Sequence, residues 1–261
     1  MTSITTAPSP RLAVVTGGAS GIGAACARVL AEEGWKVAVV DRNAEAALAV
    51  ANATGGAAFE CDIGDESSVN HTAAAVESSF GPITAVVNCA GVVQGRMTPE
   101  EMPIRKWDDI VRIDQRGTYL VCMAFAQAMK TRRKGAIVNI ASVAGIRSMP
   151  LHCYGPAKAA VIAMSATLAA EWGNAGIRVN AISPGFTRTE GMLLAFEKQV
   201  MNEDWLTSGA ALRRLVEPAE VGRAAAFLVS DAASGITGIN LPVDCGWLAG
   251  SGWAPYGGLP A

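Results

Sequence analysis

A phenol and an ammonium group stand four residues apart in the run Tyr154, Gly155, Pro156, Ala157, Lys158. On a helix rising about 1.5 Å per residue, positions i and i+4 share one face, so the two groups meet. A cation beside a phenol favours the phenolate. Moving a tyrosine from about 10 to near neutrality takes about three units, or roughly 4 kcal/mol. One positive charge about 4 Å away in an effective dielectric of about 20 supplies a similar amount. Such a pair can move protons at physiological pH. The spacing alone also fits an exposed helix pair, so its meaning rests on what positions it.

The positioning elements begin at the other end of the chain. Residues 12–15 are a short apolar run ending in Thr16, followed at once by Gly17, Gly18, Ala19, Ser20, Gly21, Ile22 and Gly23. This reads as buried strand, glycine turn and helix; the helix runs over 24–33 and stops near Gly34, and 35–40 forms a second strand ending in Asp41. The glycines let the backbone approach a pyrophosphate, and the free N–H groups and dipole of the helix start favour its charge. Asp41, about 20 residues beyond the loop, suits the adenosine ribose hydroxyls and repels a 2′-phosphate. NAD is therefore expected over NADP, although Arg42 could hold that phosphate or simply point into water.

The alternation continues with a helix at 44–53, a strand at 57–59, a helix at 66–80 and a strand at 83–87. Repeated βα units predict a single-domain α/β fold, a Rossmann-type doubly wound parallel sheet. Asp62, after the third strand, could reach an adenine edge or cap the next helix, and Ile63 follows it. Asn88, Ala90 and Gly91 follow the fourth strand, where small residues let backbone pass close to a cofactor. Ligands of open α/β sheets bind at the carboxyl ends of strands, so these loops converge on one crevice. Residues 99–130 read as a long helical region containing Asp114 and Gly117, and 136–140 as a fifth strand leading to Ser142. A serine there could also be only a turn former. Tyr154 opens an alanine-rich helix to about Trp172, with Pro156 acceptable in its first turn.

The 261 residues are 51% hydrophobic and carry a formal charge of −2, which suits one sizeable core and offers no electrostatic footprint for nucleic acid. The one basic cluster, Lys130, Arg132, Arg133 and Lys134, is expected to close a helix C-terminus. Six cysteines without CxxC spacing read as reduced, mostly buried thiols, and two distant histidines, His71 and His152, argue against a metal site. Residues 1–10 resemble a flexible tail and not a signal peptide, and no run of eighteen uncharged apolar residues occurs, so a soluble, cytoplasmic protein is expected.

In order and spacing, these motifs resemble the short-chain dehydrogenase/reductase family over essentially the whole chain. TGGASGIG at 16–23 is similar to the family's TGxxxGxG, and Asn88 to Gly91 to its NxAG segment. Ser142 within NIASVAG, YxxxK at 154–158, Asn180, PGFTRT at 184–189 and the closing TGINLPVDCGW follow. The resemblance implies interconversion of a secondary alcohol and a ketone by hydride transfer with a nicotinamide cofactor. It implies Tyr154 as general acid or base, Ser142 as hydrogen-bond partner of the reacting oxygen, and Lys158 as ribose anchor and electrostatic partner of the tyrosine. Pro184, Gly185, Thr187 and Thr189 would fix the nicotinamide carboxamide, or form only a turn and a helix N-cap. A homotetramer is implied as well. Two departures stand out: Asp114 replaces the family's usual asparagine, which helps hold a water linking the lysine to solvent, and Cys245 replaces the first glycine of the VDGG turn.

Two rival readings remain at this level. A serine hydrolase built on Ser142 and His152 lacks a GxSxG elbow, and a non-catalytic NAD-binding regulatory protein would follow if Asp114 disabled the site. Substrate choice is expected in a mobile lid at about 190–214, in 92–94 and in 143–153, with Gln94 and His152 suiting a polyol and apolar lid residues suiting a partly hydrophobic alcohol, steroid-like or cyclic. The C-terminal tail, 251–261, is expected to pack, on its own chain or on a neighbouring subunit, because it keeps Trp253 and Tyr256.

Overall fold

The apolar runs pair side by side into one sheet. Among residues 11–250 and 252–259, which the computed structural model describes, seven parallel strands occur: β1 (Arg11–Thr16), β2 (Trp35–Asp41), β3 (Ala57–Glu60), β4 (Ala85–Asn88), β5 (Gly135–Ile140), β6 (Ile177–Pro184) and β7 (Asn240–Val243). Their order is β3-β2-β1-β4-β5-β6-β7. The expected tail at 1–10 lies outside the described residues. Successive strand residues face opposite sides. Ala13, Val15, Val37 and Val39 accordingly pack beneath α1 (Gly21–Glu32), α2 (Ala44–Thr54) and α9 (Pro218–Val229). Leu12, Val14, Ala38 and Val40 pack beneath α3 (Glu66–Ser79), α5 (Thr118–Arg132) and α6 (Tyr154–Trp172) on the other face. Both faces are covered, which is why the strands are near-continuous apolar runs. The chain order reverses between β1 and β4, and the crevice of a doubly wound sheet opens there.

The helical region expected over 99–130 is broken up. α4 (Ile104–Ile110) starts behind an extended Pro103, and Val111–Gly117 forms π-helical turns before α5. Gly117 has the role its size suggested: a Cβ there would lie 2.9 Å from the Ile63 side chain and carbonyl. A π turn has the i→i+5 pattern and is common at functional sites, and Asp114 sits within it. Lys130 and Arg132 occupy the last turn of α5, followed by Arg133 in the left-handed region at φ 51°, so the basic cluster does close that helix.

Beyond β6, α7 (Glu190–Glu197) and α8 (Glu203–Ser208) are short helices with no buried residue. α10 (Trp247–Gly250) follows β7. In the turn between them Cys245 stands at φ 53° and Gly246 at φ 77°, both in the left-handed region. In the C-terminal segment the Leu259 carbonyl accepts from Arg213 Nη2 at 2.8 Å, while Trp253 and Tyr256 are 48% and 89% exposed. Within one chain Trp253 is thus about half covered and Tyr256 is left open.

Candidate active site

The glycine loop leaves β1 at the crevice and is held by its neighbours. Gly17 adopts φ 61°, and a Cβ on it would lie 2.6 Å from the Ala90 backbone. Gly23 is pressed against the Gly17 carbonyl, so neither tolerates a side chain. Ser20 is the N-cap of α1 yet makes no capping hydrogen bond, which leaves the first N–H groups of that helix for an anion. Asp41 Oδ2 accepts from Ala19 N at 3.1 Å and Oδ1 from Asn43 N at 3.0 Å, fixing a carboxylate beside the loop. Arg42 is exposed. Across the crevice the Thr189 methyl would lie 3.5 Å from a Cβ on Gly21, so the loop and the Pro184–Thr189 segment face each other at van der Waals distance. These residues fit an adenine dinucleotide: a backbone cradle, an open helix start for an anion and a carboxylate beside the loop that can accept from hydroxyls.

Beneath the crevice runs a polar row that sequence reasoning missed in part. Thr16, Asn88 and Asn139 stand in register on β1, β4 and β5. Thr16 Oγ1 donates to Asn88 Oδ1 at 3.4 Å, Asn88 Nδ2 to Asn139 Oδ1 at 2.8 Å, and Asn139 Nδ2 to Ser165 Oγ of α6 at 2.9 Å. All four are buried, and each polar side chain is satisfied by the next, which avoids the cost of burying it alone. Asn139 and Ser165 carried the signal of polar residues inside apolar runs. Cys122 touches both asparagines, and burial, partly offset by their hydrogen bonds, pushes its thiol up to about 12. All six cysteines are free; Cys89 and Cys245 are half-buried and the rest buried.

Tyr154 begins α6 and Lys158 lies one turn later, its Nζ 5.5 Å from the phenol ring centre. Lys158 Nζ donates to the Ile140 carbonyl at 3.1 Å and lies 3.2 Å from Asp114 Oδ2. The lysine side chain is 5% exposed and the aspartate 0%. Asp114 Oδ1 accepts from Val92 N at 2.8 Å. Oδ2 pairs with the ammonium by proximity and lacks hydrogen-bond geometry, so it is a buried carboxylate oxygen without a hydrogen-bond partner. Burial alone would push the Lys158 ammonium down; the Asp114 carboxylate first, then the Tyr154 phenol and Cys89, outweigh burial and hold it above the ordinary lysine value. Ser142, two residues past β5, accepts from Ala144 N at 3.1 Å, a bond that does not use its hydroxyl proton.

Other expected residues fall elsewhere. Gln94 is 2% exposed, its Oε1 accepting from Cys153 N at 2.8 Å and Tyr154 N at 3.3 Å, with His152 beside its Nε2. It therefore lies under α6 and not open to a substrate. Asp62 does not cap α3, because Asp65 does; Asp62 accepts from Gly64 N and pairs with Arg112 at 3.4 Å. Ile63 is buried against Gly117, and Ile22 packs on the core from the glycine loop. Thr187 donates to the Gly185 carbonyl, and Thr189 is the N-cap of α7, accepting from Met192 N. Asn180 ties β6 to the 236–239 loop through Ile236 and Ile239. The described residues contain no group of His, Cys, Asp and Glu side chains suited to a metal, and no helix among them is long and apolar enough to cross a membrane.

A doubly wound parallel sheet with a glycine-loop crevice and a tyrosine–lysine pair at its edge defines a class of nicotinamide-dependent enzymes. The family model described as enoyl-(acyl carrier protein) reductase matches residues 17–248. D-threitol dehydrogenase of Mycolicibacterium smegmatis is 41% identical over 91% of this chain and 92% of that protein. The 2,5-dichloro-2,5-cyclohexadiene-1,4-diol dehydrogenase of Sphingobium indicum is 39% identical over 92% and 98%. Among solved structures, one described as ribose-5-phosphate isomerase from Brucella melitensis 16M is 51% identical, with a TM-score of 0.95 over 97% of this chain and 98% of that one. The 3-ketoacyl-(acyl-carrier-protein) reductase of Brucella melitensis, complexed with NADH, is 32% identical with a TM-score of 0.85, over 91% and 98% of the chains. ElxO with NADP bound is 26% identical with a TM-score of 0.87, over 92% and 100%. The chain belongs to the short-chain dehydrogenase/reductase family. It is an oxidoreductase of the CH–OH/ketone type using a nicotinamide cofactor.

Proposed function

We propose that this protein is an NAD-dependent dehydrogenase of a polyol or cyclic diol, with Tyr154 as its general acid and base. The observation that carries the reading is the buried Lys158 ammonium 5.5 Å from the Tyr154 ring. A nicotinamide held in the crevice would supply the hydride chemistry. Ser142 donates a hydrogen bond to the reacting oxygen and orients it. Tyr154 takes the alcohol proton during oxidation and returns it during reduction. Lys158 holds the nicotinamide ribose and stabilises negative charge on the tyrosine oxygen, while Asp114 keeps the lysine charged.

Asp41 favours NAD, since its carboxylate stands where a 2′-phosphate would bring like charge. Gly17, Ser20, Gly21, Ile22 and Gly23 form the pyrophosphate cradle, and Ala90 and Gly91 line the nicotinamide side, with Asn88 buried beneath them. Pro184, Gly185, Thr187 and Thr189 hold the carboxamide. The α7–α8 segment acts as a substrate lid: Arg188 reaches from the carboxamide segment to Glu203 of α8 at 2.5 Å and to Glu217 at 3.1 Å. Exposed Leu193, Leu194 and Trp205 give it an apolar surface. The polyol and diol relatives support this substrate class. A cytoplasmic homotetramer completes the reading; the six free cysteines fit a reducing compartment, and exposed Trp253 and Tyr256 fit burial at a subunit contact.

The test is a screen of threitol, other polyols and cyclic diols with NAD and with NADP, following nicotinamide reduction. Turnover with NAD supports the reading; cofactor binding without turnover favours the regulatory alternative. The 51% identical Brucella protein favours a second reading, aldose–ketose isomerisation of a pentose phosphate. Ribose 5-phosphate isomerised with no net change in nicotinamide would establish it.

A further inference from the structure

The first turn of α6 must find acceptors for its N–H groups, because no preceding helical carbonyl serves them. Gly155 N donates to the Leu151 carbonyl at 2.8 Å, Pro156 has no N–H, and Ala157 N donates to the Cys153 carbonyl at 3.1 Å. The N–H groups of Cys153 and Tyr154 remain, and both go to one atom, Gln94 Oε1, at 2.8 and 3.3 Å. Cys153, the N-cap position, makes no side-chain cap of its own. The acceptor is thus imported from the loop after β4, sixty residues earlier in the chain. Two donors on Oε1 fix which way the amide points, so its NH2 must face the other side. There the His152 ring lies, with Nδ1 at 3.3 Å.

We infer that Gln94 is a positioning residue for the proton-transfer step, capping α6 from another loop and so setting where the Tyr154 side chain stands. This rests on the reading of Tyr154 as the proton carrier. The same loop supplies Val92 N to Asp114 Oδ1, so one short segment grips the helix that carries Tyr154 and Lys158 and the carboxylate that faces them. Gln94 has the burial of a core residue and touches backbone, so its loss acts through geometry and not through substrate binding.

The experiment compares wild type, Gln94→Leu and Gln94→Glu by steady-state kinetics and by amide exchange at Cys153 and Tyr154. Leucine fills the space without an acceptor, whereas glutamate keeps an oxygen for both N–H groups at a helix start that favours negative charge. In Gln94→Leu the two amides exchange about ten-fold faster or more, and kcat falls about ten- to a hundred-fold with KM for the alcohol near wild type. Gln94→Glu restores protection and most of kcat. Gln94→Asn, which draws the acceptor back by one methylene, gives the leucine result should that variant not fold. Unchanged exchange in Gln94→Leu, or a rise in KM with kcat intact in both variants, overturns the inference. Exchange needs no substrate, so it decides the cap even if wild type shows no nicotinamide-linked turnover, an outcome that counts against the functional reading alone.

Discussion

Replacing Asp114 by asparagine removes one buried charge with almost no change of shape. The variant keeps an acceptor for Val92 N, bonded at 2.8 Å in the wild type, and deletes the charge 3.2 Å from Lys158 Nζ. An ammonium 5.5 Å from the Tyr154 ring centre stabilises negative charge there by about 3 kcal/mol at an effective dielectric of about 20. The carboxylate oxygen lies 3.2 Å beyond that ammonium at most, hence no more than about 9 Å from the ring, and cancels about 2 kcal/mol or more of the stabilisation. Asp114→Asn restores it. The acid limb of the pH profile of kcat/KM for alcohol oxidation therefore moves down by about one unit or more. The assay is initial-rate NAD reduction across pH, beside a thermal melt. An unmoved profile in a folded variant would refute the electrostatic argument. The stability side has its own sign. Lys158 titrates above its ordinary value of 10.5 in the fold, so the stability from its pairing is complete below that pH and is lost as pH rises through the folded value. The wild type's margin over Asp114→Asn accordingly shrinks as pH rises through the folded Lys158 value.

Three further outcomes follow from the same structure. Asp41→Ser removes the carboxylate beside the glycine loop, so KM for NAD rises about ten-fold and turnover with NADP increases, measured by initial rates with each cofactor. Cys245→Gly relieves a left-handed φ of 53° and stabilises the fold by about 0.5–1 kcal/mol, seen as a melting point about 1–4 °C higher. Glu220 receives the Arg214 guanidinium and the Glu217 N–H, holding its carboxyl down at about 2, so its contribution is present above the ordinary value of 4.5 and lost between there and pH 2. Glu220→Ala undoes the capping box of α9, costs about 1 kcal/mol at neutral pH and has no added cost near pH 2, by denaturant titration at both pH values.

The sheet was legible because both of its faces are covered, which makes the strands apolar runs with glycine, asparagine or serine at their carboxyl ends. The crevice was legible for the same reason: Gly17, Asp41, Asn88 and Ser142 stand at or just past those ends. The π-helical turns around Asp114 were not, because an extra residue per turn leaves no trace in side-chain type. Gln94 was misplaced, since a glutamine near the site reads equally as a substrate contact or as a buried cap, and only the accounting of N–H groups on α6 separates the two. Asn139 and Ser165 were overlooked as isolated polar residues, although the register of β4 and β5 makes them one row with Asn88.

The central claim is that Tyr154 carries the proton that accompanies hydride transfer. Its most direct test is Tyr154→Phe, with NAD affinity measured by fluorescence and polyol oxidation followed through nicotinamide reduction. The account predicts NAD binding close to wild type and a loss of about 10²–10⁴ in kcat. Oxidation at the wild-type rate in the phenylalanine variant would contradict it.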